Sequence, residues 1–532
     1  MPDLTDWSDW SDRSDRSDRW VLAIDLGTGG PKVGLVSLTG AIACVEHLPV
    51  PTDLGPDGQA TQDAGLWWDL ICASARRAID SSVVPADRIV AVSCTGQWAS
   101  TVPVDGEGIP VGPCQLWSDT RGGPHSRQVI AGPVAGYAPL AAWKWIRHSG
   151  GAPSTSGADP IGHILHLERD EPDIARAARW YLEPVDYLTM RFTGVAAATP
   201  ASMAGAWLTD NRQSDPLEYD RALVKAAGVP PFKLPPLRPT ASVVGTVRSD
   251  VAASLGLPGG VLVMAGTPDL HSACVGSGAV LPFQPHIAIS TTSWISCPFP
   301  KKKTDAIRQM ATVPGILPGL RLVANNQESG GRALEWVRDC LDGDLPVGTA
   351  PTPFDELTAL AGSVSAGSGR VLFTPWLAGE RSPIDDRLAR GGFHNLSLRT
   401  TRADMVRSVM EGVALNSRWL ARAVERFVGK PLTPYRAIGG GASSALWCSI
   451  YASVLDRPVE QVADPMLANL RGAALIAGLT LGAITPDELA TLVPVSATHR
   501  PDPDDVAVYD QLFAEFPALY KAQRRIFARL AK

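Results

Sequence analysis

Val21–Val36, VLAIDLGTGGPKVGLV, puts the tightest local constraint on the fold: an apolar run carrying one acid stops at a Gly/Thr turn, and a second apolar run follows. Val21–Leu26 is too short and too β-branched for a helix, and apolar character resumes from Val33 to Leu38, so the spacing predicts strand, tight turn, strand. The turn Gly27-Thr28-Gly29-Gly30 then closes a hairpin, whereas a Walker loop or a dinucleotide fingerprint needs its glycines to open a helix. Consecutive amides in such a turn form an anion nest, which makes Gly29, the Thr28 hydroxyl and Lys32 candidates for cradling phosphate. Asp25, at the mouth of the hairpin, is placed to hold a hydrated Mg²⁺ on those phosphates. An ordinary glycine hairpin with an acid at its rim satisfies the same pattern.

The chain has 532 residues, more than one core usually organises, so two or more domains are expected. Its formal net charge of −6 argues against a broad nucleic-acid surface. Small anionic ligands stay open, because they respond to local fields. No apolar stretch approaches the roughly 18 residues of a spanning helix, so no membrane span is expected. The eight cysteines form no C-x-x-C pair, as suits reduced thiols of a cytoplasmic protein. His163 and His166 lack a Cys or His cluster nearby in the sequence and are expected on a helix surface. Residues 1–19 repeat a Ser-Asp-Arg triplet with almost nothing apolar, which predicts a disordered extension. A basic start and apolar core, the marks of a secretory signal, are missing from it.

Further along, Leu66, Leu70, Ala73 and Ile79 suit an amphipathic helix, and Arg88–Ser93 a strand leading into Gly96-Gln97-Trp98-Ala99-Ser100. Leu116-Trp117-Ser118-Asp119-Thr120-Arg121 follows a second strand. Gln97, Trp98, Asp119 and Arg121 thus bring amide, indole, carboxylate and guanidinium groups to two strand ends, as the wall of a polyol pocket would. Turn and helix-cap roles remain open for Gln97 and Arg121. Helix-like segments dominate from Gly122 to about Pro258, with Trp143, Trp145, Trp180 and Trp207 expected in core or lid packing. The opening pattern then returns, as the strand Val261–Ala265 ends in Gly266-Thr267-Pro268-Asp269 and a helix of small residues follows. Asp269 could take a proton from a substrate hydroxyl while its oxygen attacks a phosphoryl group, or simply cap the helix. His286–Ser290, Thr291-Thr292-Ser293 and Trp294–Cys297 make a second hairpin, which implies a duplicated architecture with two tips facing across a cleft. At 439–444 three glycines turn a strand into a helix, and the backbone there can lie against a flat ligand such as adenosine.

Taken in order, DLGTGGPK (25–32), GQWAS (96–100) with LWSDTR (116–121), AGTPD (265–269), STTSW (290–294), GERSP (379–383) and GGGASS (439–444) resemble the FGGY carbohydrate kinases. That family lies in the actin-like sugar kinase/heat-shock ATPase superfamily, and the resemblance, closest to xylulokinase-like members, runs from about Trp20 to Gly482. It implies an α/β protein of two ribonuclease-H-like domains with a ligand cleft between them: 20–280 for sugar, phosphate and base, 281–490 for nucleotide, and a helical extension over 491–532. The implied reaction is ATP-dependent phosphorylation of a ketose, xylulose- or ribulose-like, or of a polyol. By the same resemblance Asp25 organises Mg²⁺ and phosphate, and Thr28 lies in the first phosphate loop. Asp269 is the catalytic base, Thr292 and Ser293 form the second loop, and Gly440, Gly441 and Ala442, with Ser443 beside them, meet adenosine. Trp98-Ala99 and Leu270 stand where typical xylulokinases carry Met-His and Asn at the sugar. Thr291 and Trp294 stand where glycines are common. A non-catalytic sugar or nucleotide sensor is the competing reading, and a homodimer stays open as the assembly.

Overall fold

The computed structural model describes residues 16–134, 136–343 and 349–531. Trp20–Gly27 pairs antiparallel with Gly30–Ser37 in continuous register from Trp20↔Ser37 to Gly27↔Gly30. Position 30 requires glycine: φ is +129°, and a Cβ would sit 2.1 Å from the Leu48 carbonyl oxygen. Trp20–Gly27 also runs parallel to Ile89–Gly96, which runs parallel to Leu262–Met264. Val243–Thr246 and Ile42–His47 flank this sheet. Asp63 caps the helix Ala64–Asp80 by accepting from the Gly65 amide. That helix and Pro184–Thr193 cover one face, where Trp67, Ile71, Tyr187 and Phe192 are buried.

The second domain repeats the scheme. His286–Ile289 pairs antiparallel with Ser293–Ser296 and parallel with Tyr435–Ile438, which is parallel to Val459–Val462. The segment expected as a helical extension over 491–532 instead completes this domain. Val495–His499 is the fifth strand of its sheet. The helix Pro503–Leu530 buries Tyr509, Phe513 and Phe516 in the core that also holds Trp376. Of the expected disordered stretch 1–19, residues 1–15 lie outside the described residues. Arg16–Asp18 forms a helical turn, anchored by Arg16 to the Ala483 carbonyl at 3.1 Å and to Glu488 at 2.8 Å.

His163 and His166 are buried, at 0 % and 7 % exposure, which corrects their placement on a helix surface. Their helix, Pro160–Asp170, is buried along most of its length. Among the tryptophans, Trp145 is core, while Trp143 is exposed beneath the Arg147 guanidinium. No helix among the described residues is long and apolar enough to cross a membrane.

One crossing joins the two domains. The helix Ala468–Thr480 sends Leu470, Ala473, Ala474 and Ala477 onto the first sheet, against Val21, Ala23, Val36 and Ala91. It crosses the helix Asp269–Gly276 at glycines: a Cβ on Gly472 would lie 2.0 Å from the Ser272 carbonyl oxygen, and one on Gly276 1.7 Å from that of Ala468. Backbone meets backbone there, so any side chain must push the helices apart. Gly472→Ala is expected to cost about 1–3 kcal/mol, the usual range for overpacking, and to lower the unfolding temperature in scanning calorimetry. Gly362→Ala, whose Cβ would meet only a Leu446 methyl at 3.7 Å, should leave it nearly unchanged.

Candidate active site

Three adjacent strands end at one place. Asp25 is in register with Thr95, and Thr95 with Thr267. Two residues beyond, the middle and third chains present Gln97 and Asp269, at the strand ends where open α/β sheets receive ligands. Asp25 is 4 % exposed and pairs with Lys32, its cross-strand neighbour, at 3.3 Å. Lys32 is therefore turned toward Asp25. Asp269 is the first residue of its helix, and its Oδ1 accepts from the Leu270 amide at 2.7 Å. The cap position belongs to Pro268, which makes no side-chain cap bond. Desolvation, reinforced by the negative charge of Asp25, pushes the Asp269 carboxyl up to about 7. A carboxyl tuned to that range can hold and release a proton at neutral pH.

Of the residues read as a polyol wall, Gln97 reaches the hairpin, joined there by Trp117. Thr28 Oγ1 donates to Gln97 Oε1 at 3.3 Å, and the Trp117 indole N–H to Thr28 Oγ1 at 3.4 Å. Gln62 closes the group: its amide donates to the Thr28 carbonyl at 2.8 Å, and its Oε1 accepts from Gln97 at 3.3 Å. Asp119 departs from its expected place on the wall. It is fully buried, and its carboxylate takes the Ala60 amide, the Arg121 amide and the Arg121 guanidinium. Asp119 therefore orients Arg121, which stays partly exposed, and has no free edge for a ligand. Burial and the Arg121 partner act in opposite directions on its carboxyl, and the net effect holds it below the ordinary value.

The second hairpin splits its expected pair. Thr292 is partly exposed, whereas Ser293 is fully buried and exchanges backbone hydrogen bonds with Gln327. Strand alternation turns its hydroxyl into the core. Gly330 braces the tip, since a Cβ there would approach the Ser290 and Thr292 carbonyls to 2.6 Å. At the third motif, Gly440–Ser443 is a 3₁₀ turn. Gly440 and Ser443 are exposed, Gly441 lies against Ile289, and Ala442 is buried with its carbonyl accepting from Gln461 at 2.8 Å. An Ala442 side-chain contact with a ligand is thus excluded in this conformation.

Residues from three separate motifs meet one another. Trp98, Leu270 and Trp294 pack with Ala204, Cys274, Val313 and Leu322 in one apolar cluster. The Trp98 indole N–H is committed to the Ser202 carbonyl at 2.7 Å, and that of Trp294 to His286 at 3.2 Å. Sequence reading overlooked Gln62 and the buried acids Glu183 and Asp186 as partners of this region. Gln62 is one of several polar residues in the short strand Ala60–Gln62 that leads to Trp67, and nothing in that pattern singles it out. The acids lay in a segment with no recognisable pattern. GERSP also finds a place: Glu380 is buried, accepting from Glu328, Arg381 and Asn416, while Arg381 pairs with Glu328 and lies 6.0 Å above the Trp117 ring of the first domain.

Family comparison agrees with this geometry. The N-terminal domain of the FGGY family of carbohydrate kinases matches residues 20–276, and its C-terminal domain residues 291–481. A xylulose kinase of Staphylococcus epidermidis is 25% identical over 96% of this chain and 98% of its own. A gluconokinase of Bacillus subtilis is 23% identical over the same shares. The gluconate kinase structure from Lactobacillus acidophilus superposes with a TM-score of 0.82 at 20% identity, covering 96% of this chain and 99% of that one. A xylulose kinase structure from Rhodospirillum rubrum gives 0.79 at 27%, covering 96% and 100%. The chain belongs to the FGGY family of carbohydrate kinases and is an ATP-dependent sugar or polyol kinase on the two-domain actin-like fold.

Proposed function

We propose that this kinase, acting in the cytoplasm, transfers the γ-phosphoryl group of ATP to a hydroxyl of a ketose or polyol, with Asp269 as the catalytic base. The observation that carries the reading is Asp269 itself, partly exposed at a strand end beside Asp25 with its carboxyl raised to about 7. The acceptor lies against Gln97, Trp98, Arg121 and Leu270, where amide and guanidinium groups meet hydroxyls and the apolar cluster meets carbon. Asp269 takes the hydroxyl proton as that oxygen attacks in line, and the Thr28 and Thr292 tips hold the phosphates from opposite sides. ATP lies against the second domain, its adenosine near Gly440, Gly441 and Ser443.

Asp25 is fit to hold Mg²⁺: it offers hard oxygen ligands, and it lies near a second acid with only Lys32 paired to it. Bound there with the phosphates, Mg²⁺ would offset the charge that builds on them. The residues of the chain supply the rest, by placing the acceptor and excluding water as the domains close. Relatives named xylulose kinase support a xylulose-like ketose.

Asp269→Asn is expected to lower kcat by about 10³-fold or more, as loss of a positioned base does, while ADP binding measured by calorimetry changes less than about twofold. Asp25→Ala should chiefly raise the Mg·ATP requirement. A screen of ketopentoses, hexuloses and pentitols by coupled ADP release reads both, and near-wild-type turnover by Asp269→Asn would falsify the assignment.

The pH dependence follows from the raised carboxyl. In the free enzyme kcat/KM for the acceptor should fall about tenfold per unit below pH 7, as Asp269 becomes protonated. Stability runs the other way. The contribution of Asp269 is complete below the ordinary aspartate value of 3.8 and is lost as pH rises through about 7. Asp269→Asn should therefore raise the unfolding temperature at pH 8 and do so less at pH 5.

A further inference from the structure

Two carboxylates behind the acceptor wall have no cation. Glu183 is 2 % exposed and Asp186 1 %, and among the described residues neither pairs with Lys, Arg or His. Glu183 stands just before the helix Pro184–Thr193 yet caps none of its amides. Its Oε2 instead accepts from the Ser100 amide at 3.2 Å, and its Oε1 is buried with no partner. Asp186, one turn into the helix, accepts from the Ser202 hydroxyl at 2.7 Å through Oδ2, while its Oδ1 is likewise without a partner.

Both acids lead to the same loop. Ser202 gives its carbonyl to the Trp98 indole N–H, so Asp186 holds that ring through one intermediary. Ser100, fixed by Glu183, accepts the Trp117 amide on its hydroxyl at 3.0 Å, and Trp117 reaches Thr28 in the phosphate hairpin. Between these anchors Ala99 has φ of +59°, a left-handed conformation that alanine adopts only where surrounding bonds impose it. Gly205 presses on it from behind, where even a Cβ would approach the Ala99 methyl to 3.2 Å. A loop strained in this way holds its shape through its supports.

We propose that Glu183 and Asp186 are positioning residues for the acceptor: they hang the Trp98–Ser100 loop, and through Ser100 the Trp117–Thr28 edge, at the place that brings a substrate hydroxyl to Asp269. The proposal rests on the reading of Asp269 as base. Burial, each other's charge and, for Glu183, that of Asp269 push the Glu183 carboxyl well up, and burial does the same for Asp186. The groups facing Glu183 are Asp186 and Asp269, with Tyr219 and Cys114 also within its field. Each acid accepts its hydrogen bond through a single oxygen, a contact that an amide oxygen can also make, so Gln and Asn can replace them.

The test compares Glu183→Ala, Glu183→Gln, Asp186→Ala and Asp186→Asn in the full chain, with D-xylulose and the wider ketose and pentitol panel as acceptors. The alanine variants should raise the acceptor KM about tenfold or more, with the ATP KM changed less than about twofold, and the amide variants should restore it to within about threefold. Hydrogen exchange at the amides of 99 and 100 should quicken in Glu183→Ala and stay slow in Glu183→Gln. Should the alanine variants not fold, Ser100→Ala cuts the link to Trp117 alone and should raise the acceptor KM by itself. Equal losses toward both substrates, or an unchanged acceptor KM, would overturn the proposal. So would a Glu183→Gln variant as impaired as Glu183→Ala, since that would mean the charge is needed. If no acceptor on the panel turns over, the kinase reading fails separately, and unchanged exchange at 99 and 100 still decides against Glu183.

Discussion

The contact between the helices Asp269–Gly276 and Ala468–Thr480 is the constraint on which the rest of the molecule depends. Glycines 276 and 472 let the two backbones touch, and no other residue fits there without separating them. The second helix belongs by sequence to the nucleotide-side half but packs its alanines on the first sheet. The first helix begins with Asp269. The crossing therefore ties the helix that begins with the candidate base directly to a helix of the other half. Ser93 and Thr95 add to it from the sheet, donating to the Ala473 carbonyl and bonding the Ser272 hydroxyl, each at 2.7 Å. A second close approach of backbones lies further along the helix Ala468–Thr480, where a Cβ on Gly478 would come within 2.6 Å of the Leu38 carbonyl oxygen.

Beside this crossing the candidate site carries an excess of acid. Asp25 has Lys32, but among the described residues Asp269 has only the amide of its neighbour, and Glu183 and Asp186 have no cation. Buried carboxylates in this state lower stability as pH rises. A chain selected for stability alone would place apolar residues of similar size at such positions. Asp25 and Asp269 at the ends of neighbouring strands, with Glu183 and Asp186 buried behind them, are the physical signature expected of a functional site.

Much of this could be read from the chain. The first hairpin, the strand ending before Asp269 and the second hairpin appear close to where periodicity and glycines put them, because each is a local pattern whose turn chemistry admits few alternatives. The buried placement of Ser293 also follows from strand alternation once its register is known, but register is a tertiary fact. The role of Asp119 was hidden for a similar reason: only the folded chain brings the Ala60 amide to it and takes both its oxygens out of reach of ligand. His163 and His166 look like surface residues by spacing, yet their helix is packed on more than one side. Val495–His499 looked like the start of a helical extension, since a short strand at a sheet edge is specified mainly by its neighbour, Val459–Val462.

One apolar cluster ties three of the motifs together. Trp98, Leu270 and Trp294 come from separate motifs and from both domains, yet they occupy one apolar cluster. The indole N–H groups left over are absorbed by Ser202 and His286. Beside the cluster, Gln97 and Arg121 are each held by a buried partner, Gln62 and Asp119. That bracing leaves two polar side chains in fixed positions next to an apolar wall, and it accounts for the buried polar residues packed around them.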